Sequence, residues 1–414
     1  MGCVVCKEIR GDGCRKQPKS IGEAAVFVRG FRIPKPIQFP ESLSNHVSKH
    51  LVEHLSALRT RIAVLAGQER VTITKRRKSI AQYGGSTLSD LHHALEDYLP
   101  ILLGIIEDGR HPQLEVRFLW ENQEDNEDET GMENPWYEVL SVLHLMAMIT
   151  LTRANLLLVS SISADAHHVK VLDENRRASV DVFLKAAGYL DFAVKNVLPQ
   201  LPESSRDELP VDLQESNLRA FTLQALGQCV DVQLGMAIKS VKATLAVKRR
   251  LACEMVKCWN QAQDNIEKLP LSNGWGEKHL NFVKWKSSEA KAAAYYFHGV
   301  ILGEGNEEKS QAMAMAALLA AEEFFHESRR ECDIFHATPP LSKNPPLWGA
   351  RKYIFEKLAK DDSTTNLTNR NVHCSTKTME KAPTLPDFAL ALKPEDYHLP
   401  PLDPRWSEVN KPPW

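Results

Sequence analysis

Ala290-Lys291-Ala292-Ala293-Ala294-Tyr295-Tyr296-Phe297-His298-Gly299 and, after a short break, Ala312-Met313-Ala314-Met315-Ala316-Ala317-Leu318-Leu319-Ala320-Ala321 decide the fold. Ala and Gly recur at close spacing in both runs. Two helices whose facing sides carry small residues can approach closely, because no bulky side chain holds them apart. The spacing therefore predicts an antiparallel hairpin, one helix from Trp285 to Gly303 and the next from Glu307 to Cys332, of the tetratricopeptide-like kind. No repeat of fixed period accompanies it, so a regular solenoid is not expected.

The same helical character extends upstream. His50-Leu51, Leu55, Leu58 and Ile62-Ala63 recur every three or four residues, the mark of one buried stripe. Beyond Gly84-Gly85, Ser86 or Thr87 can cap a helix on which Leu88, Leu91, Leu95, Tyr98, Leu99, Leu102 and Ile106 share a side, with Pro100 as a kink. Further helices are predicted from Trp136 to Leu158, Asp173 to Leu198, Asp212 to Ile238 and Val241 to Ile266. Between Glu107 and Asn134, Val116 to Trp120 reads as a short strand and the acid-dense run from Glu121 to Glu133 as a solvated loop. That run fails as a calcium loop, since its sixth and twelfth positions are Thr130 and Trp136. Pro34, Pro36 and Pro40, and then the prolines from Pro339 to Pro413, keep both ends extended. The expected class is mainly α, with a flexible tail over 1–20, a helical domain over 21–400 and a Pro-rich tail over 401–414.

In 414 residues, 43% apolar and 25% charged, composition is that of a globular protein. A net charge of −2 argues against a dedicated nucleic-acid binder. The longest apolar stretch, Val139 to Leu158, is interrupted by His144, Arg153 and Asn155, and the N-terminus lacks the apolar region of a secretory signal. A cytosolic setting with reduced thiols is expected.

Catalytic patterns are missing: no Gly-x-Ser-x-Gly, no Walker lysine, no His-Glu-x-x-His. Gly84-Gly85-Ser86-Thr87 lacks the lysine of a phosphate loop and reads as an ordinary helix start. The pairs His92-His93 and His167-His168 diverge on a helix, and Cys3-x-x-Cys6 has no second ligand pair, so neither metal nor cofactor is expected. Cys253 and Cys258 read as small core residues. Lys75-Arg76-Arg77-Lys78 is a basic connection open to readings as solvated loop, membrane contact or nuclear signal. Lys248-Arg249-Arg250, with Lys242 and Lys257, borders an apolar stripe of Leu245, Val247, Leu251 and Met255. That stripe reads as core with solvated flanks or, more sharply, as a groove for an amphipathic helix carrying acidic residues.

The N-terminus, Met1-Gly2-Cys3-Val4-Val5-Cys6-Lys7, reads as a lipid anchor or, more blandly, as a disordered tail with ordinary cysteines. Removal of Met1 exposes Gly2 for myristoylation, and Cys3 and Cys6 lie in palmitoylation range; Cys6 stands where the acceptor pattern has Ser or Thr. One myristoyl chain holds a membrane only marginally. Lys7, Arg10, Arg15, Lys16 and Lys19 outweigh Glu8 and Asp12 and favour an anionic leaflet.

The order of segments resembles the Bro domain family, the ALIX-type helical module of endosomal sorting, and within it the plant proteins that consist of little more than this domain. The resemblance is carried by Ile33-Pro34-Lys35-Pro36, Trp136-Tyr137-Glu138-Val139-Leu140-Ser141-Val142-Leu143, Ala186-Ala187-Gly188-Tyr189-Leu190, Leu226-Gly227-Gln228, Ala290 to Tyr296 and Met379-Glu380-Lys381-Ala382-Pro383-Thr384-Leu385-Pro386. It spans about residues 20 to 400. It implies a curved, banana-shaped domain that binds the C-terminal amphipathic helix of an ESCRT-III subunit on endosomes and in multivesicular-body sorting. Carried over by position, the rim of that site is Asp173 and Arg177 and its apolar patch Leu234, Val247 and Leu251. The coiled arm and recruiting tail of larger relatives, and a C-terminal Cys-a-a-X box, are expected to be lacking, with Gly2-Cys3 anchoring from the opposite end.

The chain is thus expected to be a non-enzymatic, membrane-tethered adaptor on the cytoplasmic side of endosomal or other membranes, partly cytosolic. The alternatives are a scaffold acting through its Pro-rich tail without helix binding and, with no motif behind it, a Cys- or His-dependent hydrolase. If the anchor reading holds, C-terminally tagged protein pellets with membranes and the Gly2→Ala variant turns soluble; two soluble proteins would refute acylation at Gly2.

Overall fold

Alternation settles the sheet seen among the described residues. In Phe118-Leu119-Trp120-Glu121-Asn122 every second side chain is buried, the period of a strand with one face on a core. A computed structural model describes residues 25–37, 39, 49–75, 84–107, 116–122, 129–158, 173–271, 276–341 and 381–406 of the chain. Gly2, Cys3 and Cys6, residues 76–78 of the first basic cluster and His167-His168 lie outside the described residues. The chain divides into two units. One, the helical unit, is Met1–Phe27, Ala154–Leu184 and Leu223–Lys393; the other, the sheet unit, is Val28–Arg153, Lys185–Thr222 and Pro394–Trp414.

In the sheet unit, β1 (Arg32–Pro34), β2 (Phe118–Asn122) and β3 (Glu129–Met132) form an antiparallel sheet in that order. Strand β3 corrects the sequence expectation of a solvated acidic loop. Trp120 stands opposite Thr130 and Phe118 opposite Met132. The acids are offset by Lys35, whose ammonium lies 3.1 Å from Glu121 and 2.7 Å from Glu129. In this unit α1 (Lys49–Lys75) packs on β1, α2 (Gly84–Glu107) packs on α1, and the greater part of α3 (Pro135–Leu158) is hydrogen-bonded to β1 and β2. Helix α3 has the length and apolarity of a membrane span, but 78% of its most apolar stretch is buried inside the protein.

Two buried arginines tie these elements together. Glu138, in the first turn of α3, accepts hydrogen bonds from Arg59 of α1, from the Tyr98 hydroxyl of α2 at 3.0 Å and from Trp120 Nε1 of β2 at 2.7 Å. Arg59 also donates to the carbonyls of Lys35 and Leu119, each at 2.9 Å. Arg32 of β1 grips both oxygens of Asp212 at 2.9 Å and donates to Thr130 Oγ1 at 2.7 Å and the Tyr137 hydroxyl at 2.8 Å. Burial pushes the Tyr98 hydroxyl up to about 12 despite the opposing charge of Arg59.

Pro100 lies inside α2, as the sequence indicates, and a later segment uses the carbonyls beside it. Asp403 N–H donates to the Pro100 carbonyl at 3.3 Å and Trp406 Nε1 to that of Ile101 at 3.2 Å. Gly104 opens the space for the indole, since a Cβ there would sit 2.0 Å from Trp406 Cε2. Upstream, Tyr397 meets Tyr189 and Phe192 edge-on, with ring centres 4.8 and 5.2 Å apart. Residues 394–406 are therefore docked, and Trp406, in the segment expected from sequence to be tail, is 8% exposed.

The helical unit contains the end of α3, the first half of α4 (Asp173–Phe192), most of α6 (Glu215–Lys239), and α7 (Leu245–Ile266), α8 (Glu277–Gly303) and α9 (Glu308–Ala337). A short α5 (Glu203–Asp207) belongs to the sheet unit. The alanine runs face each other as the sequence predicts: a Cβ at Gly299 of α8 would lie 2.8 Å from Leu318 Cγ of α9. Helix α8 starts eight residues before the expected Trp285 and α9 ends five after Cys332. Buried polar groups hid those turns: Lys278, 3% exposed, donates to the carbonyls of Phe335 at 3.0 Å and Thr338 at 2.5 Å, capping the end of α9. At the entry, Gln228 and Gln224 of α6 donate to the carbonyls of Ala25 at 3.1 Å and Phe27 at 2.8 Å, and the Phe27 ring packs on Phe282 and Phe335.

Removing Glu138 strands the Arg59 charge, so Glu138→Ala is expected to lower unfolding free energy by about 3–5 kcal/mol in urea titrations. Asp212 supplies a pH dependence. Burial alone would raise its pKa, but Arg32, with His144 and Arg29, holds the carboxyl below its usual value. Its stabilisation is in place above the unfolded value of about 4 and is lost as pH falls through the lower folded value. Unfolding curves taken stepwise from neutral to acid should show a shallower acid loss in Asp212→Asn than in wild type.

Candidate functional site

All five residues singled out for helix docking belong to the helical unit. Asp173 opens α4 and is exposed, with Arg177 exposed one turn on. The Asp173 carboxylate accepts from Arg176, whose guanidinium is buried. Arg177 has no ion-pair or hydrogen-bond partner among the described residues.

Helix α4 meets α6 where Cys229 Sγ donates to the Val180 carbonyl at 3.4 Å. Helix α6 in turn lies close on α7, since a Cβ at Gly227 would stand 3.0 Å from Trp259 Cε2. Leu234 is on the inward side of α6, 1% exposed, and in this structure offers a partner no surface. Val247 is 46% exposed and Leu251, one turn on, is half-buried. Thr244 caps α7 by accepting from Val247 N–H at 3.3 Å, which fixes the turn that presents these side chains. Val241, where the sequence predicts this helix to begin, lies instead before its first residue, Leu245, and is fully exposed. Met255, which the sequence placed in the same stripe, is core.

The cationic border differs from expectation. Arg250 donates to the buried Glu254 at 2.8 Å, and Lys257 pairs with Asp387 at 2.9 Å. The amide of Ala391 donates to the second Glu254 oxygen at 3.0 Å, and Phe388 lies under the Arg250 guanidinium, 5.9 Å from it. A stretch of the chain's own C-terminal segment therefore occupies the flank of α7 that carries Arg250, Glu254 and Lys257. Arg250, Glu254 and Lys257 follow one another at helical spacing, so this flank adjoins the Val247–Leu251 strip. Asp387 and Phe388 are thus neighbours of the candidate face that sequence reasoning missed, across a separation of 130 residues. On the far side of α7, Arg249 lies 3.4 Å from His298 Nδ1 of α8, and burial followed by the Arg249 charge holds that imidazole below its usual pKa.

The chemistry here is that of a surface. Burial pushes Cys253 up to about 11 and Cys258 to about 12, so both are thiols at neutral pH, unsuited to nucleophilic attack. Among the described residues no group of three or more His, Cys, Asp or Glu side chains is placed to hold a metal ion.

The fold and this face define a helical module that presents an apolar strip with charged edges. The BRO1-like domain model matches residues 29–381, and the chain belongs to that family. Among solved structures it is similar to ALIX in complex with the SIVmac239 PYKEVTEDL late domain, with 14% identity, a TM-score of 0.65, 93% of this chain covered and 51% of that one. The chain thus spans about half of that ALIX chain. It is similar also to the Bro1 domain described as a structural basis for endosomal targeting, with 15% identity, a TM-score of 0.59 and coverage of 94% and 97%. A third neighbour is the ALIX BRO1–CHMP4C complex, with 14% identity, a TM-score of 0.57 and coverage of 93% and 98%. Comparison with curated proteins returned no match.

Proposed function

We propose that this BRO1-like protein is a non-enzymatic adaptor that docks the C-terminal amphipathic helix of an ESCRT-III subunit, of the type ALIX takes in its complex with CHMP4C, at endosomal membranes. The observation that carries the reading is the exposed Val247 and half-buried Leu251, one turn apart on α7 beside the α6 corner, in a domain of this family. Two residues four apart meet the i, i+3, i+4 ridge of an amphipathic partner, the helix-in-groove mode. Full burial of one such side chain is worth about 1.5–3 kcal/mol, whereas an exposed ion pair is worth about 0–1 kcal/mol. The apolar strip then supplies affinity, and Asp173 and Arg177 supply orientation.

Acylation of Gly2, with Cys3 and Cys6 as second sites, would hold this surface on the membrane. Confinement raises the effective concentration of a weak single site without adding a contact. The reading in which the Pro-rich C-terminus recruits partners has less to draw on, because Asp403 and Trp406 are engaged with α2.

Leu251→Asp is expected to weaken binding of a labelled CHMP4C C-terminal helix peptide about tenfold or more, and Arg177→Glu about fivefold, with unchanged thermal unfolding. Fluorescence anisotropy checks both; wild-type affinity in the two variants would refute the site.

A further inference from the structure

The first turn of α4 carries two charges beyond the Asp173 and Arg177 of the proposed rim, Glu174 and Arg176. Asp173 has two arginines within reach on the same helix, Arg176 at i+3 and Arg177 at i+4, and both spacings bring side chains together. The structure pairs it with Arg176 and leaves Arg177 without a partner among the described residues. The two arginines are not equivalent. Arg176 is 1% exposed, so its guanidinium is held in the protein, while the Asp173 side chain it binds is 75% exposed. Ser179, also buried, donates from Oγ to the Arg176 carbonyl at 2.7 Å and packs against that turn.

We infer that Arg176 is a positioning residue for the proposed helix-docking rim: it holds the Asp173 carboxylate away from Arg177, so that the two reach a partner as separate charges. Asp173 then stands as a fixed acceptor and Arg177 as a free donor. A partner helix that meets them carries a basic and an acidic residue about one turn apart on its polar edge. Without Arg176, the i+4 pairing of Asp173 with Arg177 becomes the local alternative, and each charge satisfies the other instead of the partner. The buried guanidinium makes this control stiff, because its planar fork cannot follow the carboxylate out into solvent.

This inference rests on the docking reading above, and the test separates the two. Binding of the labelled CHMP4C C-terminal helix peptide is measured for wild type, Arg176→Leu, Asp173→Asn and the double variant, with thermal unfolding of each. Arg176→Leu is expected to weaken binding about fivefold in the wild-type background and less than about twofold when Asp173 is already Asn. Arg176→Lys, which keeps a charge at the same place, should retain most of the affinity even if the leucine variant is less stable. An equal loss in both backgrounds means that Arg176 only supports the helix and overturns the inference, as does wild-type affinity in Arg176→Leu. If the wild-type protein does not bind the peptide, the docking reading falls and takes the inference with it.

Discussion

One carboxylate holds the sheet unit in register. Glu138 is fully buried, and α1, α2 and β2 each send it a hydrogen-bond donor. A buried carboxylate is tolerable only when its lone pairs are met, and here the donors come from three elements far apart in sequence. Each donor therefore fixes the position of its element relative to α3. The Arg32–Asp212 pair repeats the device and links the sheet to the residues just before α6. Such pairs add little net stability over an apolar core, but a wrong arrangement leaves a bare charge inside, so they favour one packing over its alternatives.

The helical unit solves the same problem with small residues instead of charge. Ala and Gly on α8 and α9 let the backbones approach until Gly299 meets Leu318. This device was fully legible, because it is written in residue size along one helix at a time. The Glu138 cluster was not: Arg32, Arg59 and Glu138 read as ordinary polar residues, and only tertiary structure brings them together. Strand β3 was missed for a related reason. Its acids suggested solvent, and what compensates them is Lys35, nearly a hundred residues upstream.

For the candidate face the sequence points to α7 and the charged start of α4. Periodicity alone could not separate the two sides of α7. Val247 faces out, while Leu234 on the neighbouring helix faces in and Met255 joins the core. Nor could it find Asp387 and Phe388, since an extended segment without period carries no signal of where it lands. That segment changes the electrostatics of the face. Arg250 and Lys257 are matched by Glu254 and Asp387, which leaves Arg177 at the start of α4 as an exposed cation without an ion-pair or hydrogen-bond partner among the described residues, while two of the cations bordering α7 are already engaged.

The magnitudes point to why such a surface would be joined to a membrane anchor. A strip offering one exposed valine and one half-buried leucine can bury few apolar groups, each worth about 1.5–3 kcal/mol when fully covered. Association itself costs at least several kcal/mol in lost rigid-body freedom. The exposed rim charges add about 1 kcal/mol at most and are weakened further by salt. A single site of this kind in solution is weak, and its selectivity rests on where the charges stand more than on how many there are. Attachment to the surface on which a polymer assembles changes the balance without touching the site, because the second encounter becomes local. A fixed Asp173, a free Arg177 and a lipid at Gly2 would then divide the work: orientation at the rim, energy on α7 and concentration at the bilayer.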